Sequence, residues 1–439
     1  MMKKRIFAII FAAVLLFSLF SCAETPSEET GYTPGQNVVL NVYNWGEYIS
    51  DGFEGSMDTN AEFEKYFNEY LSEKYGGITV TVNYTTYANN EDMFAKLSSG
   101  AGGSYDIVVP SDYMIEKMVK AGMLEPFGAD SLPNYQYIAD QFKGMYYDPD
   151  NLYSVPYTYG MVGLIYNTTL VDEEDVADES WGLLWNEKYA GKLLQFNNPR
   201  DAFGTAMYYL GLDINSTDKA VWDQALDKLA EQKGLLQGYI NDEIFNKMTT
   251  ASAAVAPYYA GDYITMLDQN EDLGFYYPTE GTNYFVDAMC ILKSSKNKEI
   301  AKEYINFMLS EEPAVANAVY IGYASPNTLV QESEDYLDEM GEEAYEILYG
   351  TDPGVINAEY NALYGTACYK DFTPEMQAYS NWLWESLKTE NSTEAWVHVS
   401  CIVIVGSVLI FAIYSTYIKK KRSRSYRMRD KAAKAERHL

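Results

Sequence analysis

One pattern recurs along this chain and restricts its fold more than any other. A short branched-apolar run passes without a break into a turn of aromatic, polar and acidic residues. Val38, Val39, Leu40 and Val42 lead into Trp45, Gly46, Glu47 and Tyr48; YDIVVPSDY, 105–113, ends on Ser111 and Tyr113; LLQFNNPRDAF, 193–203, ends on Asn197, Asn198, Arg200 and Asp201. Apolar runs of this length read as buried strands. Between them, 61–75 reads as a helix, ITVTVNYT as a strand with Ile78, Val80 and Val82 on one face, and 91–100 as a short helix closed by glycine. Strand, helix, strand, helix predicts an α/β lobe on a parallel sheet, whose functional loops gather at the carboxyl ends of the strands. YSVPYTYGMVGLIYN (153–167), AAVAPYYAGDYITML and NYFVDAMCILKSS repeat the pattern and predict a second lobe of the same architecture, without any internal sequence repeat.

The 439 residues exceed what one core usually holds, and charge divides them further. The net charge of −31 conceals +8 in residues 419–439 and +3 from Lys3, Lys4 and Arg5, so the body between them carries −42. Such a body repels nucleic acid and favours cationic partners, although a solvated acidic surface gives the same total. Histidine occurs only at 398 and 438, outside the presumed globular body. Ser-His-Asp, Cys-His and histidine-zinc arrangements therefore cannot be built there, whereas carboxylate-only catalysis of the glycosidase kind survives. Cys22, Cys290, Cys368 and Cys401 form no CxxC and no disulfide framework, and Cys290, within AMCIL, reads as a core residue.

Both ends carry membrane signals. MMKKRIFAIIFAAVLLFSLFSCAE reads as an export signal over 1–21. Its ending, Leu19-Phe20-Ser21-Cys22, resembles a bacterial lipoprotein signal whose cysteine is lipidated, with Phe20 bulkier than that pattern usually allows. Residues 22–37 are polar, with prolines and glycines, and read as a flexible spacer. Residues 395–418 contain no Asp, Glu, Lys or Arg, enough to cross a hydrocarbon core as a helix. Trp396, Tyr414 and Tyr417 flank that stretch and KKKRSRSYRMR follows it, which predicts a cytoplasmic tail over 419–439 and an acidic body held on the outer side of a cell membrane.

Taken in order, YNWGEY, YDIVVPSDYMIEKM, SVPYTYG, the Asp201 turn, FVDAM and IGYASPN resemble the motifs of the spermidine/putrescine-binding proteins of bacterial ABC importers, across nearly all of 38–327. The resemblance implies an α/β, two-lobed, periplasmic-binding-protein-like fold of type II, hinged and closing over its ligand. It divides the body into a first lobe of 38–155 with 285–327, a second lobe of 156–284, and a helical region, 328–394, that packs on them. It implies polyamine binding and delivery to a separate permease and ATPase, with no catalytic residue, cofactor or metal. Trp45, Glu47, Tyr48, Ser111, Tyr113, Asp201, Tyr259, Phe285, Asp287 and Tyr323 fall on or beside family ligand positions. Asn198 stands where spermidine-preferring members place an aspartate and Tyr259 where a tryptophan is usual, while Asp262 resembles an acid of putrescine-preferring members. The choice among polyamines stays open.

The chemistry fits such a ligand. A polyamine is a methylene chain punctuated by ammonium groups. It needs flat apolar walls, which aromatic faces supply together with a cation–π attraction of roughly 0.5 to 2 kcal/mol, and acids, whose charge-assisted hydrogen bonds are about twice as strong as neutral ones. Asp287 and Asp201 are expected to pair ammonium groups, Asp262 to make a further terminal contact, and Asn198 and Ser111 to give neutral hydrogen bonds. Trp45, Tyr48, Tyr113, Tyr259, Phe285 and Tyr323 would form the walls. The alternatives are a receptor of this fold for an amino-acid derivative, a sugar or a ferric complex; a glycosidase using Asp201 and Asp287; and a tethered structural or sensory protein. Anionic ligands would want Lys or Arg near the pocket, and the turns offer only Arg200.

Overall fold

The computed structural model describes residues 31–389. Nine strands cross it: β1 (Asn37–Trp45), β2 (Thr79–Tyr87), β3 (Ile107–Val108), β4 (Ser154–Asn167), β5 (Leu193–Phe196), β6 (Leu236–Ile240), β7 (Val255–Tyr259), β8 (Leu273–Tyr276) and β9 (Tyr284–Ile291). The helices that frame the sheet include α1 (Thr59–Tyr66), α2 (Asn90–Ser98), α3 (Asp112–Lys120), α4 (Pro199–Tyr209), α5 (Lys219–Lys233), α6 (Ala260–Leu267), α7 (Lys298–Met308), α8 (Glu311–Ile321) and α9 (Pro374–Thr389). The strands lie in the order β2-β1-β3-β9-β4-β7-β5-β6, with β8 beside β4.

Within each lobe the pairing is parallel, as expected: β2, β1 and β3 in the first, β6, β5 and β7 in the second. The junction is not. β9 is antiparallel to β3, and β4 is antiparallel to β9, β7 and β8. The first half of β4 pairs with β9 and its second half with β7 and β8, so this 14-residue strand carries the chain from one lobe into the other. β9 returns it, and Ala324 pairs with Tyr159 on the same strand β4. Glycines in β4 make room for rings: a Cβ on Gly160 would lie 2.7 Å from Phe285 Cζ, and one on Gly163 2.2 Å from Phe275 Cζ.

Two expected elements are shorter in the structure. The apolar run through Val109 pairs as a strand at only two residues, because the Val109 carbonyl accepts from Trp45 Nε1 (2.9 Å) and the Tyr87 hydroxyl (2.6 Å), and Pro110 has no N–H to offer the ladder. The helix expected over 61–75 loosens after Tyr66 into a π turn, Phe67–Leu71. The side chains of Asn68 in that turn and Glu64 in α1 reach the edge strand: Asn68 Oδ1 accepts from Val80 N (2.8 Å) and Glu64 Oε1 from Val82 N (2.7 Å). Covering an otherwise unpaired edge protects it from strand addition.

The first lobe's core stacks Phe63 against Tyr304 and Phe307, with ring centroids 5.0 and 5.6 Å away. Past Asn327 the chain is largely helical, and α9 lies on α5, with Trp384 edge-on to Tyr239 at 5.1 Å. Cys290 and Cys368 are buried free thiols. The leader, Cys22, the 395–418 stretch and the basic tail lie outside the described residues, among which no helix is long and apolar enough to cross a membrane.

Phe63 is fully buried. Phe63→Ala should lower the unfolding free energy by about 3 to 5 kcal/mol in a denaturant titration; a loss under about 1 kcal/mol would mean that this cluster does not hold the lobe together.

Candidate binding cleft

The turns that end the apolar runs meet between the lobes. Trp45 closes β1 and is fixed by its Nε1 bond to Val109 and by ring contact with Tyr87 at 4.7 Å. Tyr48, three residues on, is buried, and its hydroxyl reaches the β4–β9 pair where Thr158 faces Asp287. It donates to Asp287 Oδ2 (2.6 Å) and lies 2.7 Å from Thr158 Oγ1.

From Tyr48 an unbroken series of rings leads to Tyr259. Tyr323 stands edge-on to Tyr48 at 5.9 Å, Phe285 to Tyr323 at 5.9 Å, and Tyr259 to Phe285 at 5.5 Å. Edge-to-face rings at these separations attract each other beyond simple area burial. Each tyrosine of the series also holds an acid. Tyr323 donates to Asp262 Oδ2 (2.8 Å) and Tyr259 to Asp201 Oδ2 (2.7 Å). Asn198 caps α4 by accepting from Asp201 N (2.9 Å) and donates Nδ2 to the same Asp201 oxygen (2.8 Å). Its amide thus does local structural work where an aspartate would add charge.

Backbone fit keeps Tyr323 in place. A Cβ on Gly261 would lie 1.9 Å from Tyr323 Cδ1, so only glycine allows Asp262, the next residue, to come under that ring. Ser111 bridges Asp287 main chain to main chain at the other end, and Asn90 Nδ2 donates to Ser111 Oγ (3.0 Å) and to the Tyr113 hydroxyl (3.1 Å).

Eleven of the twelve ligand residues expected from the sequence therefore share one array. Glu47 does not: it is exposed on a left-handed turn (φ 52°) and belongs to none of these contacts. Asn90, Glu91 and Thr158 belong to the array without having been foreseen. They are ordinary polar residues on a helix start and mid-strand, and only pairing across the sheet reveals them. Among the described residues no group of His, Cys, Asp and Glu could hold a metal ion.

Burial dominates the electrostatics. It raises Asp287 to about 6, with the Ser111 and Tyr48 hydroxyls pulling partly the other way. It raises Asp262 to about 7, opposed by Tyr323 and reinforced by Asp242. Asp287 Oδ1 is buried without a hydrogen bond of sound geometry. Both acids are thus shifted toward the protonated form, each with a tyrosine hydroxyl on one oxygen.

The chain matches the family model described as "Bacterial extracellular solute-binding protein" over residues 62–340. It is 31% identical over 291 residues to the spermidine/putrescine-binding periplasmic protein of Escherichia coli, covering 66% of this chain and 78% of that one. Its fold is similar to the spermidine/putrescine ABC transporter substrate-binding protein of Streptococcus pneumoniae, with a TM-score of 0.64, 30% identity, and coverage of 81% and 99%. It is also similar to a lipoprotein of Treponema pallidum, with a TM-score of 0.63, 25% identity, and coverage of 80% and 99%.

The raised Asp287 pKa fixes a sign. The folded state keeps its proton to about 6, whereas an unfolded aspartate loses it near pH 4, so this contribution to stability is complete below about pH 4 and is lost as pH rises through about 6. Asp287→Asn should match the ligand-free wild type near pH 4 and become relatively more stable by pH 8, by at most about 3 kcal/mol. Denaturant titrations of both proteins across that range check it, and a difference independent of pH would contradict the buried-acid account.

Proposed function

The chain belongs to the bacterial extracellular solute-binding proteins and, within them, to the spermidine/putrescine-binding group, and from that premise we propose that it binds a polyamine between its lobes. The observation that carries the reading is that Asp201, Asp262 and Asp287 each accept from a tyrosine hydroxyl whose ring belongs to one contiguous aromatic series. In this reading an ammonium group takes the place of a hydroxyl on a carboxylate, which converts a neutral or weakly polar contact into a charge-assisted one. The methylene segments lie against Tyr48, Phe285, Tyr259 and Tyr323, and Trp45 and Tyr113 bound the cleft on the first lobe. Asp287 and Asp201 hold amines, Asp262 a terminal amine, and Ser111 and Asn198 give neutral bonds. Glu47 is assigned no direct contact. Asn198 leaves this part of the site one charge short of the spermidine-preferring pattern, and Asp262 supplies an acid elsewhere.

The chain would hand its ligand to a separate ABC permease and ATPase and carry out no chemistry of its own. Lipidation at Cys22 and a spanning helix over 395–418 would hold the acidic body at the outer face of the membrane, with the basic tail inside. The resemblance to a lipoprotein of Treponema pallidum supports the first anchor.

Calorimetry with putrescine and spermidine should give saturable binding that weakens with salt. Asp287→Asn, which removes a charge-assisted bond, should weaken it by about tenfold or more. Absence of heat with every polyamine tried would refute the reading.

A further inference from the structure

The segment 366–372 is attached to the second lobe by a set of directed bonds. Ala367 O accepts from the Tyr208 hydroxyl (2.8 Å), Cys368 O from Asn215 Nδ2 (2.9 Å), and Lys370 N donates to Asn215 Oδ1 (2.8 Å). The Tyr369 hydroxyl donates to Arg200 O (3.1 Å), and Arg200 Nη2 returns a bond to Lys370 O (2.8 Å). The fit is close: a Cβ on Gly204 would lie 2.3 Å from the Tyr369 hydroxyl.

The same short segment also grips the first lobe. The Tyr146 hydroxyl donates to Tyr369 O. Asp371 N donates to Glu116 Oε2 (2.8 Å), and Lys120 spans Glu116 (2.8 Å) and Asp371 (3.5 Å). Arg200, from α4 of the second lobe, has its guanidinium 3.7 Å from the Phe372 ring centroid, 4.6 Å from that of Tyr369, and 5.6 Å from that of Tyr113 on the first lobe. Asp112 of the first lobe is almost fully buried, with Oδ2 unpartnered, beside the Cys368 thiol. None of Glu116, Lys120, Tyr146 or Asp371 belongs to the ring and acid array of the cleft.

We propose that residues 366–372 are a clasp carried by the second lobe, and that Tyr146 and Glu116 of the first lobe are positioning residues that set ligand affinity by fixing how often the lobes are closed. This rests on the receptor reading above for its consequence, but not for its geometry. Separating the lobes breaks the Tyr146 and Glu116 bonds and parts Arg200 from Tyr113. The clasp therefore favours closure before any ligand enters, and apparent affinity falls in proportion as the closed fraction falls.

The test uses the full-length chain in detergent, spin-labelled through Glu73→Cys and Asp227→Cys, one exposed site on each lobe, with Cys22 and Cys401 replaced by serine. Without ligand, Tyr146→Phe and Tyr146→Phe/Glu116→Ala should shift the interlobe distance distribution toward longer values, progressively. Glu116→Gln, which keeps an acceptor for Asp371 N, should shift it little. Putrescine affinity should fall about threefold to tenfold per lost bond, through faster release. An unchanged distance distribution in folded Tyr146→Phe protein overturns the clasp, whatever the affinity. A shifted distribution with no polyamine heat from the unlabelled wild type keeps the clasp and removes the receptor reading.

Discussion

Burying carboxylates without a fixed cation is the constraint around which this structure is arranged. A lone ionised carboxylate inside a protein is strongly disfavoured, so it must find donors, a counter-ion or a proton. Asp201 and Asp287, buried, and Asp262, half-buried, find tyrosine hydroxyls. That choice explains why the rings and acids come as pairs: the hydroxyl satisfies one carboxylate oxygen while the ring behind it packs against the next ring. A lysine or arginine in the same place would neutralise the acid for good and leave nothing for an incoming cation. In the proposed reading a tyrosine holds the acid and yields it to an ammonium group.

The hinge strands make this arrangement possible. β4 pairs with strands of both halves of the sheet and β9 lies beside it, and Asp287 sits on β9 opposite Thr158, where the pairing register shifts after Pro156. Residues on these strands are held by pairing on both sides, Asp287 by Thr158 across the ladder and by the Ser111 bridge. Tyr48 comes from the first lobe, Asp201 and Asp262 from the second, and Tyr323 from the segment whose Ala324 pairs with Tyr159. The bond between Tyr323 and Asp262 thus joins two segments 61 residues apart in the chain.

Much of this was legible in the sequence because the strands announce themselves by composition and their turns follow at once. The residues at those turns, from Trp45 to Tyr323, could be named from ordered motifs. What stayed hidden depends on partners distant in sequence. Nothing in DIVVP shows that the Val109 carbonyl is claimed by Trp45 and Tyr87, which shortens β3, nor that the side chains of Glu64 in α1 and Asn68 in the π turn after it serve the edge of β2. Antiparallel pairing at the junction is equally invisible, since β4 reads as one long apolar strand whichever neighbours it has. The exposure of Glu47 is also hidden, because its place in a motif says nothing about its left-handed backbone. TACYKDF looks like an unremarkable loop until Tyr208, Asn215 and Arg200 are seen to hold it.

The central claim is that one groove of rings and acids recognises a flexible organic cation by exchanging tyrosine hydroxyls for ammonium groups. A crystal structure with putrescine addresses it directly. The account predicts one ammonium nitrogen about 2.8 Å from an Asp287 oxygen, the methylene chain against Phe285 and Tyr48, and at least one of the three tyrosine–aspartate bonds opened. Putrescine found outside this groove, or inside it with all three bonds intact, would contradict it.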